Sequence, residues 1–344
     1  MFSNHPEYLR EVRVAAETAL PWEKLQDTSL LLTGATGLVG TFLVDTLLWK
    51  NEHDGLGCHI YAVGRSEEHA RERFGAALGQ DVTFVAWDVN DGALPDVPAD
   101  YVIHAASNTH PRAYASDPVG SILTNIIGLR NVLDFSRKAQ ARRTLFLSSV
   151  EVYGKAWKSD DVFDESYCGY IDCNTLRAGY PEGKRAGEAL CQAYRAAYGL
   201  DIVIPRLSRV YGPTMQDSDS KAMAQFFRRA AAGEDIILKS AGTQRFSYTY
   251  VPDAVTGILT CLLRGEDGEV YNVAGTGDMT LREIAGMIAD VAGTKVVFVF
   301  PDDIEEKGYS RVDVALMKTM KIENLGWKAQ YDLKYGITFC SEAL

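Results

Sequence analysis

The chain has 344 residues, of which 47% are hydrophobic and 24% charged, a balance that excludes disordered, collagen-like and low-complexity classes. Its length suits two domains, or one large domain with an appendage. Lys and Arg number 35 against 46 Asp and Glu, and a net charge of −11 repels phosphate backbones and argues against a nucleic-acid partner.

The amino-terminal MFSNHPEYLREVR lacks the basic-then-apolar order of a secretory signal. Leu9, Val12, Ala16 and Leu20 then recur at helical spacing until Pro21 stops the pattern, so residues 1–28 read as a helical extension. From Ser29 the chain alternates. Short apolar runs predict strands at Ser29–Thr33, His59–Val63, Val82–Ala86, Tyr101–His104, Thr144–Leu147 and Ile202–Pro205. Helical periodicity fills Leu38–Trp49, Val119–Lys138 and Pro181–Tyr198 between them. This alternation predicts an α/β fold: a doubly wound parallel sheet of the Rossmann type over residues 29–205. After Arg206 the rhythm breaks into a Gly/Pro/Asp/Ser-rich stretch (212–220), helices over Ala222–Ala232 and Leu281–Ala292, and short strands. Residues 206–344 therefore read as a smaller, mainly substrate-binding domain, with some segments returning to the first. No run of about 18 apolar residues occurs anywhere, so no transmembrane helix or membrane partner is expected. The six cysteines are scattered; Cys168 and Cys173 have no second pair and no nearby His, which reads as reduced cytoplasmic thiols rather than a disulfide frame or metal site.

The first strand runs straight into Thr33-Gly34-Ala35-Thr36-Gly37-Leu38-Val39-Gly40. In strand–turn–helix context, Gly34 serves the tight turn, Gly37 the approach of a pyrophosphate and Gly40 the packing of helix on strand. The helix start then offers free N–H groups to phosphates. The second strand ends in Gly64-Arg65-Ser66, with no acid for a ribose 2′-hydroxyl. Arg65 and Ser66 leave NADP open beside NAD. Asp88 and Val89, after the third strand, sit where adenine contacts are made, although Asp88 also suits a turn.

Tyr180-Pro181-Glu182-Gly183-Lys184 sets a phenol and an ammonium on one helical face, with Pro181 marking a helix start. A lysine beside the phenol, with a cationic nicotinamide nearby, is expected to lower its pKa and make a base able to work near neutrality. Ser149 closes the fifth strand at its carboxyl end, where open α/β sheets bind ligands.

In order along the chain, TGATGLVG (33–40), HAAS (104–107), TNIIG (124–128), SSVEVYG (148–154), YPEGK (180–184), RLSRVYGP (206–213), YTYVPDAV (248–255) and LGW (325–327) resemble the extended short-chain dehydrogenase/reductase family of nucleotide-sugar epimerases, dehydratases and decarboxylases. The resemblance implies that Tyr180 takes the proton of a sugar 4-hydroxyl while C4 gives hydride to NAD. It implies that Lys184 holds the ribose, Ser149 binds O4, and Asn125 supports the helix and a proton path. Ala105 and Ala106 would border the cofactor and Ser107 the substrate. Segment 174–194 is similar to UDP-glucuronate decarboxylases through Arg177, Glu182 and Arg185, and Glu151 matches their Ser/Thr-Ser-Glu-Val-Tyr-Gly motif as an acid/base or a buried carboxylate. Three positions depart from that pattern. Arg209 stands in place of a substrate-contacting Asn, Phe246 in place of an Arg with Arg245 one residue early, and Val150 in place of a Ser or Thr. The implied reaction is UDP-glucuronate decarboxylation through transient C4 oxidation, with nucleotide-sugar 4-epimerisation as the alternative. A 4,6-dehydratase, which would need an acid at Val150, and a non-catalytic NAD(P)-binding regulator rank lower. Substrate contacts are expected from Arg177, Arg185, Arg209, Arg245 and Tyr250, and homodimers of the family pair through two helices.

Overall fold

Leu30, Leu31 and Leu32 are fully buried because both faces of their strand are covered. The computed structural model describes residues 5–107, 109, 116–299 and 312–343. In it, Ser29–Thr33 lies centrally in an eight-stranded parallel sheet. From one edge the path runs Val82–Ala86, His59–Gly64, Ser29–Thr33, Tyr101–His104, Arg143–Phe146, Ile202–Leu207 and Val270–Val273, and Ser148–Ser149 pairs with Arg206 and Leu207. The chain departs to opposite sides of Ser29–Thr33, so a crevice opens at the carboxyl ends of that strand and Tyr101–His104, the Rossmann switch point.

Several boundaries differ from expectation, each for a local reason. Ile202–Leu207 runs past Pro205, because Arg143–Phe146 pairs only with Ile202 and Val203 and the next neighbour starts at Arg206. Pro205 falls in that gap, where no donor is missed on that side. The helix expected over Val119–Lys138 is instead Pro118–Leu123, a π-turn at Thr124–Gly128, and Leu129–Ala139. The strand Val270–Val273 was not anticipated: its VYNV is short, and it joins the sheet edge beside Ile202–Leu207.

Segments after Arg206 build the roof of the crevice. Ala222–Ala231 is a helix, Ile236–Leu238 pairs with Val296–Phe298, and Tyr248–Tyr250 pairs with Arg209–Tyr211 in the register Tyr248↔Arg209. Arg245–Phe246 lies between Met279–Thr280 and Val314–Met317, which in turn pairs with Val162–Phe163. At the amino terminus the helix Pro6–Ala16 buries Tyr8, Val12, Ala15 and Ala16, while Leu9 of the expected stripe is 47% exposed. Tyr8 packs edge-on against Phe42 and hydrogen-bonds Asp45, both on the helix Leu38–Asp54. One turn on, the Glu11 carboxylate is fully buried and accepts from the Tyr250 phenol at 2.9 and 2.8 Å.

Candidate active site

A cavity of about 1730 Å³ occupies the crevice, bounded by the sheet ends below and the roof segments above. Single small-ligand pockets run to roughly 1,000 Å³, so this volume has room for a dinucleotide and a second ligand together.

The glycine loop forms its floor. Gly34 has φ +73°, and a Cβ there would stand 2.9 Å from backbone atoms of Ala105 and Ala106, so strand end and loop touch as only glycine permits. A Cβ on Gly40 would fall 2.3 Å from the Gly34 carbonyl oxygen, which is the close helix–loop packing expected of that glycine. Thr33 Oγ1 accepts from the Ala105 and Ala106 amides, both at 3.2 Å. Gly37 caps the helix Leu38–Asp54 with no side-chain cap bond and no acid in the first turn. Its leading N–H groups are therefore open to an anion. Thr36, Leu38, Val39, Ala105, Ala106 and Val89 all line the cavity, so this wall suits the diphosphate and adenosine of a dinucleotide.

The second-strand end is arranged differently from a phosphate clamp. The Ser66 hydroxyl is engaged as N-cap of the helix Glu67–Phe74, accepting from the His69 amide at 3.2 Å. Glu67 and Glu68 follow in that first turn. Arg65 leans toward Asp88 at 3.7 Å. Asp88 also holds a turn, accepting from the Asn90 amide at 2.9 Å, and it lines the cavity.

Across the cavity lies the reactive cluster. Tyr180 and Lys184 are carried on the first turns of the helix Gly179–Tyr198. Gly183 and Gly187 let that helix sit tight: a Cβ at 183 would meet Asn125 at 3.1 Å, and one at 187 would meet Phe146 at 2.8 Å. The Ser149 and Tyr180 hydroxyls are hydrogen-bonded to each other. Lys184 is buried, donates to the Leu147 carbonyl at 2.7 Å, and lies 4.6 Å over the Phe146 ring and 5.9 Å over that of Tyr180. Asn125, at the π-turn, donates to the Ser121 carbonyl at 2.8 Å and accepts from the Ser107 hydroxyl at 3.0 Å. It supports the wall without lining the cavity, whereas Ser107 does line it.

The electrostatics show that the neighbouring lysine alone does not make the phenol a base. Burial pushes the Tyr180 phenol up to about 12; the Ser149 bond and Arg177 oppose this, and Glu151 adds to it. Lys184 is not among the groups that shift it, because the ammonium points at a carbonyl. Burial in turn brings Lys184 down to about 7, against the pull of Glu188. Without a ligand the phenol is held protonated, so lowering of its pKa requires positive charge to arrive with what binds.

Beside the phenol, Glu151 follows Ser149 in the short 3-10 turn Val150–Tyr153. Its carboxylate pairs with Arg177 at 2.9 Å and lies 3.7 Å from Arg209. Arg209 stacks on Phe246, its guanidinium carbon 3.8 Å from the ring centroid. Glu151, Arg177, Arg209 and Phe246 all line the cavity, as does Lys155.

Three expected contacts lie elsewhere. Arg185 donates to the Val152 and Gly169 carbonyls at 2.7 and 2.9 Å, bracing the catalytic turn from behind. Arg245 pairs with Asp278, and Tyr250 points to Glu11; neither lines the cavity among the described residues. Strand alternation explains this, since Phe246 takes the inward position and Arg245 the outward one. The sequence reading passed over Glu188 and Arg206, a buried pair joined at 2.9 and 2.6 Å that also receives the Ser148 hydroxyl at 2.5 Å. Glu188 lies one turn beyond Lys184 on the same face, the one available signal. Among the described residues no cluster of three His, Cys, Asp or Glu could hold a metal, and no helix is long and apolar enough to cross a membrane.

Comparisons with known proteins bear on the family and the fold. Residues 30–274 match the sequence model of the NAD dependent epimerase/dehydratase family. UDP-glucuronic acid decarboxylase 5 of Arabidopsis thaliana is 30% identical over 317 residues, 91% of this chain and 88% of that protein. UDP-glucuronic acid decarboxylase 1 of Danio rerio is 27% identical over 90% of this chain and 70% of its own length. Among solved structures, a dTDP-glucose 4,6-dehydratase from Streptomyces venezuelae with NAD and TYD bound superposes with TM-score 0.79 at 24% identity, covering 91% of this chain and 96% of that one. A UDP-glucuronic acid 4-epimerase from Bacillus cereus superposes with TM-score 0.76 at 20% identity, covering 91% and 98%. At these identities the structural likeness speaks for the fold.

Proposed function

The chain belongs to the NAD dependent epimerase/dehydratase family, and from that membership we propose that it decarboxylates UDP-glucuronate through transient oxidation at C4. The carrying observation is the juxtaposition of two devices in one cavity: the Ser149–Tyr180 hydroxyl pair, and the Glu151–Arg177 ion pair next to it. The first suits a sugar alcohol, and the second sets a carboxylic acid/base beside it.

The glycine loop, the open helix start at Gly37 and the wall at Val89, Ala105 and Ala106 would hold NAD, with Lys184 at its ribose. Bound there, NAD supplies a reversible hydride acceptor. Ser149 and Tyr180 orient the sugar 4-hydroxyl, and Tyr180 takes its proton as a general base. Once C4 is a ketone, the C5 carboxylate is β to a carbonyl. Its C–C bond breaks to release carbon dioxide, and the electron pair passes to the C4 oxygen, which Tyr180 and Ser149 stabilise. A proton is then delivered to C5 from the Glu151 side, and return of the hydride to C4, with the Tyr180 proton going back to the C4 oxygen, would restore the alcohol as UDP-xylose and leave NAD oxidised. NAD is favoured over NADP because Ser66 is committed to its cap, Arg65 leans to Asp88, and Glu67 and Glu68 would face a 2′-phosphate. Val150 is apolar and buried, so nothing there can expel a 6-hydroxyl as water.

A homodimer is supported by the helix Pro118–Leu123, which packs on the Tyr180 helix and exposes Val119, Ile122 and Leu123. A cytoplasmic setting is supported by six free cysteines, Cys168 and Cys173 exposed among them.

The test is incubation with UDP-glucuronate, UDP-galacturonate, UDP-glucose and UDP-N-acetylglucosamine, with products read by mass and NMR. Loss of carbon dioxide from UDP-glucuronate is expected. Unchanged mass with inverted C4 would replace the reading by 4-epimerisation, and loss of water would overturn the argument from Val150. Tyr180→Phe should lower kcat by about 10²- to 10⁴-fold, the usual worth of a general base, while NAD binding persists. An unaltered kcat would remove Tyr180 from the chemistry.

A further inference from the structure

Arg209 is a poorly satisfied cation in the cavity wall. Its Nε is buried and has no hydrogen-bond partner among the described residues. Its Nη2 reaches only to 3.7 Å from Glu151, beyond hydrogen-bond length, while Arg177 holds the same carboxylate at 2.9 Å. Leaving a guanidinium N–H buried without an acceptor is unfavourable. The side chain is still 27% exposed and lines the cavity, so its guanidinium can meet an anion there with charge-assisted bonds. Its orientation is fixed by the Phe246 ring, against which the guanidinium lies flat enough for a 3.8 Å centroid distance, and by the parallel pairing Arg209↔Tyr248 beneath it. Lys155 and Arg177 line the same cavity, in a protein whose overall charge is −11.

We propose that Arg209, braced on Phe246, is the specificity residue for the sugar carboxylate: its guanidinium takes the C5 carboxylate of a uronate and leaves Glu151 to Arg177. The proposal rests on the decarboxylase reading above and names the residue that separates acidic from neutral sugars in it. The location selects the sugar carboxylate over the pyrophosphate. Arg209 shares Glu151 with Arg177, and Glu151 sits two residues from Ser149, at the end of the cavity where the C4 hydroxyl is handled. The carboxylate of a hexuronate is one carbon from C4.

Calorimetric titration of the NAD-loaded protein with UDP, UDP-glucose and UDP-glucuronate tests this, for the unaltered chain and for Arg209→Gln. The expected result is a 10- to 100-fold rise in Kd for UDP-glucuronate, the worth of hydrogen bonds to a charged group, with UDP and UDP-glucose changed less than about threefold, within the worth of one neutral contact. An equal loss for all three ligands would overturn the proposal and place Arg209 on the pyrophosphate. No loss for any would overturn it outright. Phe246→Leu keeps the charge and removes only the ring, so it should show a smaller loss of the same sign, confined to UDP-glucuronate. It reads the proposal even if Arg209→Gln folds poorly. If the unaltered protein neither binds nor decarboxylates UDP-glucuronate, the functional reading falls. If it does both and Arg209→Gln keeps the preference, this proposal alone falls.

Discussion

Glu188→Gln is a one-atom change in outline with a large expected consequence. Glu188 takes Arg206 Nε at 2.9 Å and Nη2 at 2.6 Å, and also accepts from the Ser148 hydroxyl at 2.5 Å. The two side chains are only 12–13% exposed. The amide keeps the shape and one acceptor oxygen but withdraws the charge and turns an NH2 toward the guanidinium, leaving Arg206 half-paired there beside the Tyr153 hydroxyl and the Glu165 carbonyl. Breaking one partner of a buried pair costs about 3–5 kcal/mol. The same substitution removes the negative charge that pulls Lys184 upward, so burial should drive that ammonium below about 7. Urea unfolding at pH 8 measures the first effect, and the pH profile of turnover with bound NAD measures the second. Arg206→Met in a double-mutant cycle gives the control: the pair replaced together should cost less than the two single changes added. A loss below about 1 kcal/mol for Glu188→Gln, or strict additivity in the cycle, would refute the reasoning that this pair anchors the strand Ser148–Ser149.

Two further outcomes follow from the site's geometry. His104 is buried, bonded through Nδ1 to Thr33 Oγ1 at 2.8 Å, and burial and Lys184 hold its pKa down to about 3. The unfolded chain takes that proton near 6.5, so the contribution is complete above that pH and is lost as pH falls toward about 3. His104→Gln should flatten this part of the melting-temperature profile; an unchanged slope would assign acid lability elsewhere. Gly34→Ala meets both a left-handed φ and backbone atoms at 2.9 Å that cannot yield. It should cost about 2 kcal/mol or more in stability and weaken NAD binding in titration, and a variant as stable and as tight as the parent would contradict the close approach described.

Much of this arrangement was legible in the residues. Strand Ser29–Thr33 and its glycine loop were plain because an all-apolar run followed by three glycines has one physical use in a parallel sheet. Tyr180, Lys184 and Ser149 were found because helical spacing and strand ends are local facts. What stayed hidden was decided by tertiary neighbours. The direction of Lys184 depends on the Leu147 carbonyl, so a spacing argument placed it near Tyr180 without showing that its charge points away. Arg245 and Phe246 are adjacent in sequence, and only the strand's pleat decides which faces the cavity. Tyr250 belongs to a family-like segment, yet its phenol is claimed by a carboxylate from residue 11, a contact spanning 239 positions that no local pattern encodes. The π-turn at Thr124–Gly128 likewise answers to packing. A Cβ on Gly128 would meet the Val89 side chain at 2.8 Å, and the widened turn carries Asn125 to Ser107.

The helix Pro6–Ala16 has a mechanical consequence. Tyr8 fastens it to the helix that springs from the glycine loop, and Glu11 fastens it to Tyr250, whose strand runs alongside Arg209–Tyr211. It works as a clasp between the helix behind the glycine loop and the roof strand Tyr248–Tyr250. A wide, jaw-like swing would have to drag a wholly enclosed carboxylate into solvent. Ligand entry is therefore left to small displacements of the loops at the rim, and calorimetric melting should register one cooperative event rather than two.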